Sequence, residues 1–176
     1  MDATADQLNA IKEHFEAGVE LTDEELDIVA DASIEVVRDI LKLFGEASCT
    51  IDEYEGDEGE LILDVSDGDL AVLIGRHGKT LDALQVLVSS LVNNKLGFHY
   101  PVVVDIEGYK NRRRQKIQTI AHNAASRARK QHGSVKLPPM NAYERRIAHM
   151  ALASDSSVTT HSEGVDPDRY VIVTAV

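Results

Sequence analysis

Three groups of residues in the chain have types and spacings suited to chemistry. The first is Gly75-Arg76-His77-Gly78, set between a short apolar run, LAVLI, and a long helical pattern, KTLDALQVLVSSLV. Glycines three apart let a backbone turn tightly and approach a ligand with no side chain in the way. The free amides and positive dipole end of the helix that follows favour a phosphate. Arg76 and Lys79 add charge beside it. This is the chemistry of anion binding, although a plain helix–helix turn can also carry two glycines.

The second group is a run of cations. Between Glu107 and Glu144 there is no acidic residue, against nine Lys/Arg. On an ideal helix Arg112, Lys116, Arg127 and Lys130 fall within about 60° of one another, while Ile117, Ile120, Ala121, Ala124 and Ala128 take a neighbouring sector. Solvated helix faces usually mix both signs, so a one-sign stripe favours a polyanion. The third group is Arg145 and His149, four apart and therefore on one helix face, able to address one phosphate together. Arg146 beside them is either a helper or an ordinary surface arginine.

No catalytic set emerges, and no enzyme activity is expected. Gly78-Lys79-Thr80 looks like the end of a G-x-x-x-x-G-K-[ST] nucleotide loop, but the first glycine would have to be at 73, which is Leu73. The seven histidines give no metal-binding spacing. Ser162-Glu163-Gly164 is not a nucleophile elbow. The single cysteine, Cys49, excludes an internal disulfide and a cysteine-based zinc site, and it reads as core. No metal or cofactor is expected.

Charge sharpens the division of the chain. The net charge of −12 opposes polyanion binding by the whole. Residues 1–70, however, hold 22 Asp/Glu and 3 Lys/Arg, a net −19, whereas residues 71–176 hold 8 and 15, a net +7. With 43% hydrophobic residues the chain can bury real cores. No apolar run approaches the roughly 20 residues of a membrane span, and the acidic N-terminus lacks the order of a secretory signal. A soluble, cytoplasmic protein without membrane insertion is expected.

The elements that would position these residues follow from periodicity. Leu8, Ile11, Phe15 and Val19 suggest a short N-terminal helix. Thr22 and Glu25 form a capping box opening a stronger helix that Gly45 ends. Residues 47–54 read as a weak strand and ELILDVS as a cleaner one, with Gly56-Asp57-Glu58-Gly59 as the turn between them. LAVLI, the glycine loop and a helix burying Leu81, Leu84, Leu87, Val88, Leu91 and Val92 come next. PVVVDIE closes the set as a third strand, giving the order α-β-β-α-α-β. Beyond Gly108 come a basic helix over 110–131, a punctuating LPP, and a helix opened by Asn141 and Glu144 with Tyr143, Ile147, Met150 and Ala151 at core-like spacing. Two final strands flank the turn Gly164-Val165-Asp166-Pro167.

With this order around its glycine loop, the segment 25–108 resembles a KH domain of the bacterial arrangement. Such loops clamp the backbone of a bound strand. Val72, Ile74 and Leu81 would form either the groove floor or plain core, and His77 stands where related proteins usually carry a basic residue. The basic helix, PPMNAYERR and the T-x-S-E-G turn resemble an Arg-three-His domain over 109–176, its namesake residues being Arg145 and His149. The tandem is similar to the bacterial Jag (KhpB-type) proteins, with residues 1–24 as an acidic segment in place of their N-terminal Jag domain.

The resemblance implies an α+β fold and binding of single-stranded RNA, with single-stranded DNA as a second substrate. It also implies post-transcriptional regulation or RNA chaperoning linked to cell elongation and division. A small single-KH protein or a second copy would be the partner. The alternative is a protein-interaction adaptor that uses the KH fold for dimerisation. The expected interface comprises Gly75, Arg76, His77, Gly78, Lys79, Arg112, Lys116, Arg127, Lys130, Arg145, Arg146 and His149.

Overall fold

The computed structural model describes residues 4–56 and 59–176. They divide into two compact units, residues 1–109 and 110–176, each built on its own core. No helix among the described residues is long and apolar enough to cross a membrane.

The first unit begins with two capped helices, α1 (Ala5–Glu16) and α2 (Asp23–Leu43). In α2 the Thr22 hydroxyl accepts from the Glu25 amide while the Glu25 carboxylate accepts from the Thr22 amide. The capping box read from the sequence is thus formed. α1 is part of the same core: Ile11 is buried, and Phe15 packs against Phe98 and Tyr100 with ring centroids 5.7 and 5.1 Å apart.

Strands β1 (Thr50–Glu55), β2 (Leu61–Ser66) and β3 (Val102–Ile106) form one sheet in that order, with β1 antiparallel and β3 parallel to β2. The first strand begins three residues later than its sequence suggests, and Cys49 lies buried just ahead of it. The turn Gly56–Gly59 falls in part outside the described residues, since Asp57 and Glu58 are not among them. The parallel step from β2 to β3 needs a crossover. It is made by α3 (Ala71–Ile74), a 3₁₀ turn over Arg76–Gly78 and α4 (Lys79–Leu96). Leu63, Val65, Val104 and Ile106 are wholly buried, each contributing about 1.5–3 kcal/mol by leaving water.

One expectation fails on α4. Leu87 and Leu91 are exposed, because the helix is apolar on two sides and only one of them can face its own sheet. Of the groove-floor candidates, Leu81 lies in the core and Val72, on α3, is exposed.

α5 (Tyr109–Gln131), whose first residue closes the first unit, carries the long basic run through the second. A three-residue strand that the sequence does not announce, β4 (Ser134–Lys136), precedes α6 (Ala142–Ala151). β5 (Val158–Glu163) and β6 (Tyr170–Ala175) complete an antiparallel sheet of order β4-β6-β5. Its core packs Ile117, Ala121, Ala124 and Ala128 of α5 with Leu137, Ala148, Leu152, Val171 and Val173. α6 is turned differently from its apolar spacing: Tyr143 and Met150 are exposed, while Glu144 and Arg145 are buried.

Candidate nucleic-acid interface

In the first unit Gly75, Arg76, His77, Gly78 and Lys79 form one loop at the start of α4. Gly75 has φ 68° and ψ −171°, a conformation essentially confined to glycine. A Cβ there would lie 2.0 Å from Thr80 Oγ1. His77 (φ 59°, ψ 29°) and Gly78 (φ 80°, ψ 5°) are consecutive left-handed residues. Gly78 is buried, while Arg76, His77 and Lys79 are exposed.

The helix starts differ in a way that bears on this loop. α1, α2 and α6 each have a complete capping box, so side chains already take up amides of their first turns. α4 opens on Gly78 with no side-chain cap. No side chain therefore occupies the positive end of its dipole, although the Lys79 amide donates to the Arg76 carbonyl and the Gly78 amide reaches the Gly75 carbonyl at 3.5 Å.

In the second unit Arg112, Lys116, Arg127 and Lys130 are all exposed along α5, on the side away from the buried Ile117, Ala121, Ala124, Ala125 and Ala128. The stripe runs about 27 Å along the helix axis. Other cations of the run are tied into the fold, Lys136 among them, with its Nζ 3.6 Å from the centre of the Tyr170 ring. Arg113 Nε donates to Glu144 Oε1 at 2.7 Å, and Arg129 Nη1 donates to Asp155 Oδ2 at 2.6 Å. The cationic face is therefore narrower than the residue count suggests.

Arg145 and His149 do share a face of α6, but it is the inward one. The Arg145 side chain is only 9% exposed. Its Nη1 donates to the Met140 carbonyl at 3.0 Å and to Asp166 Oδ1 at 3.1 Å. His149 is held between two hydroxyls of β5, with Nδ1 2.8 Å from Thr160 Oγ1 and Nε2 3.0 Å from Ser162 Oγ. Burial, followed by the charges of Arg145 and His161, holds the His149 ring below the ordinary histidine range. Arg146 is exposed.

Thr160 and Ser162 went unread as ring holders, although their period-two spacing on a strand places both on one face. Arg169 also went unread. Its buried Nε has no hydrogen-bond partner among the described residues.

An α-β-β-α-α-β unit with an uncapped glycine loop, followed by a unit that sets an Arg-x-x-x-His helix against a small antiparallel sheet, defines a KH domain and an Arg-three-His domain in tandem. Comparison with known families agrees. The model of the KhpA/KhpB KH domain matches residues 34–106 and that of the Arg-three-His domain residues 115–175. The RNA-binding protein KhpB of Clostridium symbiosum is 38% identical over 147 residues, covering 84% of this chain and 66% of the relative. The protein of the same name from Lactiplantibacillus plantarum is 39% identical over 102 residues, covering 58% and 32%, and that from Bacillus subtilis is 32% identical over 105 residues, covering 58% and 50%. The chain thus spans 66% of the first relative's length and 32% and 50% of the other two. It belongs to the KhpB, or Jag-type, family of proteins that join a KH domain to an Arg-three-His domain.

Proposed function

We propose that the chain binds single-stranded RNA with both of its units, as the names of its relatives suggest for them. Gly75, Arg76, His77, Gly78 and Lys79 hold the strand's backbone in the first unit. Arg112, Lys116, Arg127 and Lys130 carry phosphates along α5 in the second. Arg146 and His149 add a contact at α6, beside a region that buried Arg145 shapes by fixing Met140 and Asp166.

The single observation that carries the reading is the uncapped start of α4, ringed by three exposed basic side chains, in a unit otherwise dense in carboxylates. Affinity rests on phosphates, since the chain has five Tyr, three Phe and no Trp for stacking. Single-stranded DNA, which presents the same phosphates, then binds as well. In the cell such a protein acts in the cytoplasm as a post-transcriptional regulator or RNA chaperone, with cell elongation and division as the process served.

The test is fluorescence anisotropy of short labelled RNA and DNA strands with the wild type, Arg76→Asp/His77→Asp and Lys116→Glu/Lys130→Glu, each checked for folding by circular dichroism. Binding by the wild type that weakens in each variant supports the proposal. Equal binding by all three proteins refutes it.

A second reading, an adaptor that joins a small single-KH protein or a second copy, has its own support. Leu87 and Leu91 of α4 and Leu43 of α2 are exposed apolar side chains. Val36, Ile40, Leu43 and Leu91 line a hollow between the two helices, with Asp39, Lys42 and Lys95 at its rim. That face lets the KH fold associate while the glycine loop stays accessible. Sedimentation velocity of Leu87→Glu/Leu91→Glu tests it: loss of association supports the adaptor role, and unchanged association removes this face from it.

A further inference from the structure

Tyr109 has no part in the reading above, yet it stands against the glycine loop. At the end of β3 the Glu107 amide donates to the Val65 carbonyl at 3.0 Å, extending the pairing with β2 by one bond. Glu107 and Gly108 then both take positive φ, 50° and 65°. The Gly108 amide is anchored on Asp64 Oδ1 at 3.2 Å. This double left-handed turn brings Tyr109, packed against the core of the first unit, onto Gly78. A Cβ added to Gly78 would lie 2.9 Å from Tyr109 Cε1 and 3.2 Å from the phenol oxygen. A side chain at the second glycine would therefore press on the tyrosine ring as well as strain the turn.

The loop needs such a contact. His77 adopts a left-handed conformation that a residue with a Cβ avoids, and Gly78 continues it. A conformation of that kind persists only where its surroundings hold it. Arg76, His77 and Lys79 project outward and cannot supply the restraint. The tyrosine ring against buried Gly78 can.

We propose that Tyr109 is a positioning residue for the G-x-x-G loop. By packing on Gly78 it holds the His77–Gly78 pair left-handed and so keeps the first amides of α4, with Arg76 and His77, arranged for a phosphate. The proposal rests on the phosphate-binding reading of the loop. It adds that the KH unit's affinity depends on a residue outside the loop, at the first position of α5.

The experiment uses the full chain with Tyr109→Phe and Tyr109→Leu, and with Arg76→Asp/His77→Asp in parallel. Amide hydrogen exchange at 76–80 is compared with that of Leu63 and Val104 in the sheet, and RNA affinity is read by anisotropy. Tyr109→Leu is expected to keep the sheet amides protected, to speed exchange in the loop and to weaken RNA binding about tenfold, a loss typical of one ordering contact. Tyr109→Phe, which retains the ring, stays within about twofold of wild type in both readouts. A folded Tyr109→Leu with wild-type loop exchange and affinity overturns the proposal, as does lost affinity with unchanged loop exchange.

If Tyr109→Leu does not fold, the wild type decides. The Gly78 α protons should show through-space contacts to the Tyr109 ring, and the ring signals should shift together with the loop amides as RNA is added. Ring signals that stay still while the loop amides move would refute the role. If Arg76→Asp/His77→Asp binds RNA as wild type does, the phosphate reading falls by itself, and loop exchange alone decides whether Tyr109 holds the loop.

Discussion

Gly75→Ala tests whether the loop is built as the geometry describes. The residue sits at φ 68°, ψ −171°, where any side chain adds about 1–3 kcal/mol of backbone strain. The new Cβ would meet Thr80 Oγ1 at 2.0 Å, Thr80 Cβ at 2.7 Å and Thr80 N at 3.1 Å. Rotation of the Thr80 side chain relieves the first contact but leaves the approach to its backbone, and overpacking of this kind adds about 1–3 kcal/mol. The loss expected is about 4 kcal/mol.

Gly97→Ala is the control. Gly97 is also left-handed, at φ 78° and ψ 8°, but has nothing within 4 Å of an added Cβ, so it loses only about 1–2 kcal/mol. Both changes narrow the unfolded chain equally, so that effect cancels in the comparison. Urea unfolding of the full chain, followed at the Leu63 and Val104 amides, should place the Gly75→Ala midpoint about 1 M below that of Gly97→Ala. Equal midpoints would refute the description of the loop.

Two further outcomes concern the second unit. Arg145→Ala removes a buried guanidinium from the Met140 carbonyl and Asp166 and should cost about 2–4 kcal/mol by urea unfolding followed at Val171 and Val173, whereas Arg146→Ala on the exposed side stays within about 0.5 kcal/mol. His149 gives a pH dependence. Its folded pKa lies below that of the unfolded chain, about 6.5, so the unfolded form takes up the proton first as pH falls. Stability of this unit therefore declines from about pH 6.5 down to the folded value and then levels; unfolding across that window should show His149→Gln losing this dependence. A phosphate beside the ring favours its protonated form, so RNA affinity should rise as pH falls in the wild type and less so in His149→Gln.

Features governed by near neighbours in the chain were legible from sequence. Thr22 with Glu25 and Asn141 with Glu144 announce helix starts because each capping box closes within four residues. The alternation of Leu61, Leu63 and Val65 announces β2, and the glycine loop with its basic residues stands out by type alone. Where distant partners decide, the reading failed. On α6 the apolar Tyr143 and Met150 face out because Glu144 and Arg145 are held inward by Arg113, 31 residues away from Glu144, and by Asp166, 21 away from Arg145. β4 is three residues whose pairing with β6 is set across the unit. The contact of Tyr109 with Gly78 leaves no trace in any spacing, since a lone aromatic at a helix start has no period.

The most direct test of RNA binding by both units is the salt dependence of affinity for a labelled single-stranded RNA. For single strands the slope of log K against log salt is about −0.7 for each phosphate neutralised. The account predicts a clearly negative slope for the wild type, reduced in magnitude by Arg76→Asp/His77→Asp and separately by Lys116→Glu/Lys130→Glu. A slope near zero, or one that neither pair of substitutions alters, would contradict it.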